Sequence, residues 1–308
     1  MKREDILKRL NMKVPEGAKI RMIIDTDAKN EADDQYAIMH HLLTPQFDVR
    51  GIVATHYESK AQVTGETMEK SYEEVVKVLQ LAEIDDVSVY RGCPIPLKNM
   101  TDAPDSEGVR FIIEEAKRDC DMPLYIAIQG AATNVAAALN QAPEIGEKIV
   151  LLWNGGGPYP EGRPEFNVMQ DPDAARVILE KDVEVWQSHQ DVYAKFEVSI
   201  AELALKVRPC GKLGQYLYDQ LEEQNLQDYN PHFLLRTGAN WNLGDNTTIA
   251  MVLENAFRGH WEMRKAPIIN DALFYDENSE GKMIRVYNDL DVRMALEDFF
   301  AKLALAYK

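Results

Sequence analysis

The sequence predicts an α/β protein built on one open, mostly parallel, Rossmann-like sheet with helices on both faces. Three observations carry that prediction. Short apolar runs alternate with stretches of helical periodicity from Arg21 to Gln190, the pattern of a parallel sheet crossed by helices. Polar residues gather directly after those runs, where such sheets bind ligands. The chain has 308 residues, enough for one large α/β domain with a sizeable core.

The elements follow in order. "IRMIID" is a short apolar strand, and "DDQYAIMHHLL" after it places Tyr36, Ala37, His40 and Leu43 at helical spacing. "DVRGIVATHY" is a second strand; Ala61–Ala82 is a helix with Val75, Val78, Leu79 and Ala82 on one face. "VSVYRG" is a third strand and Ser106–Cys120 a helix. "PLYIAIQG" is a strand entering "AATNVAAALN", whose alanines favour helix. "KIVLLWNGGG" is a strand entering a glycine loop, and "VEVWQSHQ" is the next strand. Between them "DPDAARVILEK" opens a helix with Asp171 as N-cap and Pro172 at the first position. Residues 196–260 read as mainly helical, and "KMIRVYNDLD" supplies a late strand. Neither a repeat nor a Pro/Gly/Ser linker divides the chain, so residues 1–308 are expected to form a single domain.

Composition narrows the function. Acidic residues outnumber basic ones 51 to 34, for a formal net charge of −17. Nucleic-acid binding leaves a basic footprint, and none is present; the same balance disfavours an anionic membrane surface. Cys93, Cys120 and Cys210 are scattered and odd in number, which fits reduced thiols rather than a disulfide framework or zinc site. The charged N-terminus has no signal-peptide core, and no apolar run approaches the ~20 residues of a membrane span. A cytoplasmic location is expected.

The unusual feature is "DTDAKNEADD", where Asp25, Asp27, Glu31, Asp33 and Asp34 crowd the end of the first strand. Crowded carboxylates repel one another, more so when buried. Asp33 has the position of an N-cap, and both Asp33 and Asp34 favour a helix N-terminus. Neither effect explains Asp25 and Asp27. Four carboxylates at one sheet edge fit a hard cation held by oxygens, Ca²⁺ ahead of Mg²⁺. Residues two apart in an extended segment share a side, so Asp25 and Asp27 are both expected to reach the crevice. After the other strands come Thr55, His56 and Glu58; Gln129, Thr133 and Asn134; and the stretch from Asn154 to Asn167.

Four blocks in fixed order resemble the nucleoside hydrolases, the inosine/uridine-preferring N-ribohydrolases. "DTDAKNEADD" resembles that family's DTDPGxDD-type motif, without the Pro-Gly and two residues longer. "IAIQGAATNVAAAL" resembles its TGPLTN segment, and "LLWNGGGPYPEGRPEFNVMQDPDAA" its GG…EFN…DPxAA stretch. "NLGDNTTIAM" falls where the family has an HD pair before a helix. The resemblance implies the nucleoside hydrolase fold and a Ca²⁺-dependent hydrolase that cleaves the N-glycosidic bond of a ribonucleoside to base and ribose. It implies that Asp27, Asp34, Gln129 (through its backbone carbonyl) and Asp245 hold the ion, and that Asp27 is the general base toward a water on it. It assigns Asp33, Glu165 and Asn167 to ribose hydroxyls and makes Asp25 a brace for the loop. His56 and Asn154, at strand ends, are added as candidate substrate contacts. A homo-oligomer, dimer or tetramer, is typical of the family.

The chain departs from the family at the leaving-group end. Gly244 stands where the family has a histidine, "THYES" where it tends to have an asparagine, and Lys29, Asn30 and Glu31 are added at the rim. Glycine cannot give a proton to a departing base. His56, His189, Tyr159, Tyr193, Asn240 and Trp241 are candidate leaving-group contacts, and Trp153 or Trp241 a candidate stacking surface. Two other readings stay open. One is a non-catalytic or differently specific sugar- or nucleoside-binding homologue. The other is a haloacid-dehalogenase-like phosphohydrolase using "DTD" and "GDN"; Lys29 and "TTIA" stand where that class has a hydroxyl residue and a further acid.

Overall fold

In the computed structural model, which describes residues 1–227 and 238–308, the central strands are apolar on both faces. β1 (Ile20–Thr26) is buried along its whole length. Its Met22 and Ile24 pack into one apolar cluster and Ile23 into the other, the period of two that a pleated strand imposes. Each such side chain, fully removed from water, contributes about 1.5–3 kcal/mol. The further strands are β2 (Phe47–Ala54), β3 (Val89–Arg91), β4 (Leu124–Ile128), β5 (Ile149–Asn154), β6 (Glu184–Ser188), β7 (Glu197–Ser199), β8 (Asn240–Asn242), β9 (Trp261–Lys265), β10 (Ile268–Ile269), β11 (Tyr275–Asp276) and β12 (Met283–Tyr287).

Eight strands form one sheet in the order β3-β2-β1-β4-β5-β6-β12-β9. Every neighbouring pair is parallel except β9, which runs antiparallel to β12 at the edge. Residues of the helices Asp34–Leu42, Thr67–Leu81, Gly211–Gln227 and Val292–Tyr307 build the cluster on one face. Residues of Glu107–Lys117, Thr133–Gln141 and Pro172–Glu180 build the cluster on the other. The α/β class and the helix-covered parallel sheet predicted from the sequence are both present.

The order places the site. From β1 the chain proceeds outward through β2 and β3 on one side and through β4, β5 and β6 on the other. The direction of winding reverses between β1 and β4, and the crevice beyond their carboxyl ends is where a doubly wound sheet takes its ligand. Asp27 follows β1 and Gln129 follows β4.

Several elements differ from expectation. The helix expected from Ala61 begins at Thr67, because the Glu58 carboxylate collects the N–H groups of Thr64, Gly65 and Thr67 and holds that stretch as a loop. Within 196–260 the helices Ile200–Lys206, Gly211–Gln227 and Thr247–Leu253 share the segment with an unexpected β7–β8 pair; its part at 228–237 lies outside the described residues. The antiparallel β9 and the small β10–β11 sheet were not anticipated either. Asp171 does cap its helix, accepting from the Ala174 N–H.

Candidate active site

Asp27, Asn30, Glu31, Asp33, Asp34, Gln129, Asn154, Glu165, Phe166, Asn167, Tyr193, Asn242, Gly244 and Asp245 line one cavity beyond β1, β4 and β5. It is small and open to solvent, with about 80 Å³ of room for the centres of water-sized molecules. Asp27, Asp33, Asp34 and Asp245 are all buried. Burial, and then repulsion from neighbouring carboxylates, raises the pKa of each: Asp27 to about 7, Asp33 to about 8, and Asp34 and Asp245 well above the usual carboxylate range.

Each aspartate is aimed by its neighbours. Asp27 Oδ2 accepts from Asn30 Nδ2 at 3.0 Å and Gln170 Nε2 at 2.9 Å. A Cβ on Gly130 would sit 2.7 Å from the Asp27 carboxylate carbon, so only glycine fits the turn after β4. Asp34 Oδ1 accepts from the Thr26 hydroxyl. Asp245 Oδ1 accepts from Asn154 Nδ2 at 2.8 Å. Asp33 occupies the N-cap position but makes no side-chain cap; its Oδ2 accepts the Asp245 backbone N–H at 3.2 Å instead.

One oxygen from each of Asp33, Asp34 and Asp245 lies within 4.8 Å of the others. No ion pair reaches Asp27, Asp33, Asp34 or Asp245 among the described residues, and the buried Gln129 Oε1 beside them has no hydrogen-bond partner. This all-oxygen, charge-rich set fits a hard cation. The tight group includes Asp33, expected at the ribose. Asp27 stands at the same cavity outside that group.

Glu165 caps the short helix Phe166–Gln170. Its carboxylate accepts from the N–H groups of Gly156, Asn167 and Val168 and from the Tyr193 hydroxyl at 2.7 Å. Asn167 Nδ2 donates to the Asn154 backbone carbonyl at 2.8 Å. The Asn154 amide is spent on Asp245 and Thr247, so this residue positions Asp245 at the cavity wall.

Not every expected residue arrives. Asp25 lies one register inside the sheet, opposite Val53 and Ile128. It accepts from Asn134 Nδ2 at 3.0 Å and stays out of the cavity, although Asp27 reaches it. His56 also stays out. Its Nδ1 accepts the Glu58 N–H, so Nε2 carries the proton and donates to Thr133 Oγ1 at 2.8 Å; Thr133 in turn donates to Asp171. Burial lowers the His56 pKa to about 4, and the ring ties the loop after β2 to Thr133 at the start of the helix Thr133–Gln141. Of the leaving-group candidates Tyr193 lines the cavity, whereas His56, His189, Tyr159, Asn240 and Trp241 do not. Trp153 and Trp241 pack in the apolar clusters and offer no stacking face. Lys29 turns toward Glu74, 3.9 Å away. Gln170, Phe166 and Asn242 went unnoticed in the sequence: a glutamine five residues after Glu165, an exposed phenylalanine and an asparagine in a three-residue strand carry no local signal.

The family model described as "inosine-uridine preferring nucleoside hydrolase" matches residues 22–297. The chain belongs to that family. The pyrimidine-specific ribonucleoside hydrolase RihA of Escherichia coli O1:K1 / APEC is 26% identical over 206 residues, 59% of this chain and 63% of that relative. The match thus spans less than two thirds of the relative's length. The purine-preferring ribonucleoside hydrolase from Gardnerella vaginalis superposes with a TM-score of 0.71 at 22% identity, over 93% of this chain and 99% of that one. The type III effector XopQ, solved with adenosine diphosphate ribose, superposes with a TM-score of 0.70 at 15% identity, over 99% of each chain. These two structures share the fold. Membership in the nucleoside hydrolase family, together with an Asp25 outside the cavity lining, sets aside the phosphohydrolase alternative.

Proposed function

We propose that this nucleoside hydrolase family member is a Ca²⁺-dependent N-ribohydrolase that splits a ribonucleoside into free base and ribose. The observation that carries the reading is the meeting, at one cavity, of Asp27, the Asp33–Asp34–Asp245 oxygen group and the Glu165–Asn167 pair. Asp34 and Asp245, with Asp27 and Gln129, would hold the ion. A divalent cation bound there lowers the pKa of water and orients it. Asp33, Glu165 and Asn167 would bind the ribose hydroxyls, and Asn154 would keep Asp245 in place. Asp27, held by Asn30 and Gln170 at the cavity wall, would take the proton of the attacking water.

As the glycosidic bond breaks, its electron pair leaves with the base, and positive charge develops on the sugar, where the surrounding carboxylates stabilise it. Relatives named for pyrimidine and for purine ribonucleosides have the ribosyl half in common, which is the half these residues would contact. We extend the reading to one domain acting in the cytoplasm as a homo-oligomer; no helix among the described residues is long and apolar enough to cross a membrane.

The test is incubation with Ca²⁺ and a panel of purine and pyrimidine ribonucleosides, following base and ribose by chromatography. Release that falls by at least roughly 100-fold in Asp27→Asn, and that chelation abolishes, supports the assignment. A protein that binds Ca²⁺ and nucleoside yet releases nothing is a binding homologue.

A further inference from the structure

We infer that Asn242 selects the leaving base, presenting its amide oxygen to an N–H on the base edge remote from the sugar. The inference rests on the hydrolase reading for its substrate and on the Gly244 end of the cavity for its geometry. A Cβ on Gly244 would lie 2.7 Å from Asn242 Oδ1 and 3.2 Å from the Tyr193 ring. The space a side chain at 244 would fill therefore belongs to these two residues, and all three line the cavity.

The orientation of the Asn242 amide is fixed. Its Nδ2 donates to the backbone carbonyls of Tyr193 at 3.0 Å and Ala194 at 3.1 Å, so the oxygen is the end turned toward Gly244. That oxygen accepts no hydrogen bond among the described residues. Pairing of Asn242 with Glu197 in the antiparallel β7–β8 pair holds the backbone, as does the bond from the Leu243 N–H to the Phe196 carbonyl at 2.8 Å. Tyr193 links this wall to the sugar side, since its hydroxyl donates to Glu165, a proposed ribose contact. A base seated beside Tyr193 therefore turns its far edge to Asn242.

An amide oxygen can only accept. A base with a ring N–H or amine at that edge pairs with it, and one with a bare ring nitrogen leaves two acceptors facing each other. Sites that hydrogen-bond a substrate group discriminate strongly against analogues lacking it. Asn242 therefore favours ribonucleosides whose base carries a ring N–H or amine donor on that edge over those with a bare ring nitrogen there.

The experiment compares hypoxanthine with purine, which lacks both the N1–H and the 6-oxygen, by calorimetric titration into the Ca²⁺-loaded full chain. Inosine and purine riboside are compared in parallel by kcat/KM. The expected preference for the N–H-bearing ligand is roughly tenfold in the wild type. In Asn242→Ala it falls to about twofold or less. Gly244→Ala, which pushes a methyl against the amide oxygen without removing it, lowers the same ratio. No preference in the wild type, no binding of either base, or an unchanged ratio in variants that melt cooperatively would overturn the inference. Hydrolysis of p-nitrophenyl riboside by the wild type tests the underlying reading separately. Absence of both hypoxanthine release from inosine and p-nitrophenol release, beside an intact hypoxanthine preference, refutes hydrolysis and leaves Asn242 as the base contact.

Discussion

Chelating the protein and then raising the pH should unmask the strain of its buried carboxylates. Asp27 and Asp33 titrate near 7 and 8 in the fold, against 3.8 for an ordinary aspartate. A carboxyl with a raised folded pKa holds its proton more tightly folded than unfolded. Its stabilising contribution is complete below pH 4 and is lost as pH climbs through 7 and 8. While each group is protonated in the fold and ionised in the unfolded chain, stability falls about 1.4 kcal/mol per proton per pH unit. These two alone give about 3 kcal/mol per pH unit between pH 5 and 7, a lower bound because Asp25, Asp34 and Asp245 are raised as well. A chain of this size loses roughly 2 °C of melting temperature per kcal/mol, hence about 5 °C per pH unit. A bound cation changes the sign of the argument, because it favours the ionised carboxylates and displaces their protons. Thermal melts in EDTA and in excess Ca²⁺, at half-unit steps from pH 5 to 8, read the effect. The chelated protein should soften with pH, and the Ca²⁺-induced rise should grow with pH. Superimposable profiles, or a Ca²⁺ shift that shrinks as pH rises, would refute the assignment of these carboxylates to a cation.

Two substitutions probe the residues that aim the site. Gly130→Ala brings a methyl within 2.7 Å of the Asp27 carboxylate; turnover should drop at least tenfold with a stability loss of about 1–3 kcal/mol, measured by kcat and denaturant melts. Glu165→Gln turns an amide NH₂ toward some of the four donors that the carboxylate now accepts. It should cost about 1–3 kcal/mol of stability and raise KM for the riboside, and a neutral outcome in both readouts would contradict the capping role.

The parallel strands were legible because burial on both faces leaves continuous apolar runs such as "IRMIID" and "KIVLLWN". The half-exposed edge strand Trp261–Lys265 and the three-residue strands 197–199 and 240–242 are too polar or too short to carry a period. Motif position singles out Asp27, Asp34, Glu165 and Asp245 in the sequence, and the fold brings all four to one cavity. What they bond to was not legible. Asp33 looks like an N-cap in sequence, but its nearest donor in the fold is a backbone N–H 212 residues away. His56, which follows a strand just as a site residue would, is consumed by a threonine 77 residues on. Gln170 holds the proposed base across 143 residues. Such pairings are set by the strand order, and local spacing cannot encode them.

Hydrolysis itself is read most directly by oxygen transfer. The protein is incubated with a ribonucleoside and Ca²⁺ in ¹⁸O-water without phosphate, and released ribose is trapped before its anomeric oxygen exchanges and weighed by mass spectrometry. One ¹⁸O in the ribose, equimolar free base, and loss of both products in Asp27→Asn is the result expected. Base and ribose that fail to appear in the Ca²⁺-loaded wild type, or ribose that carries no label, would contradict it.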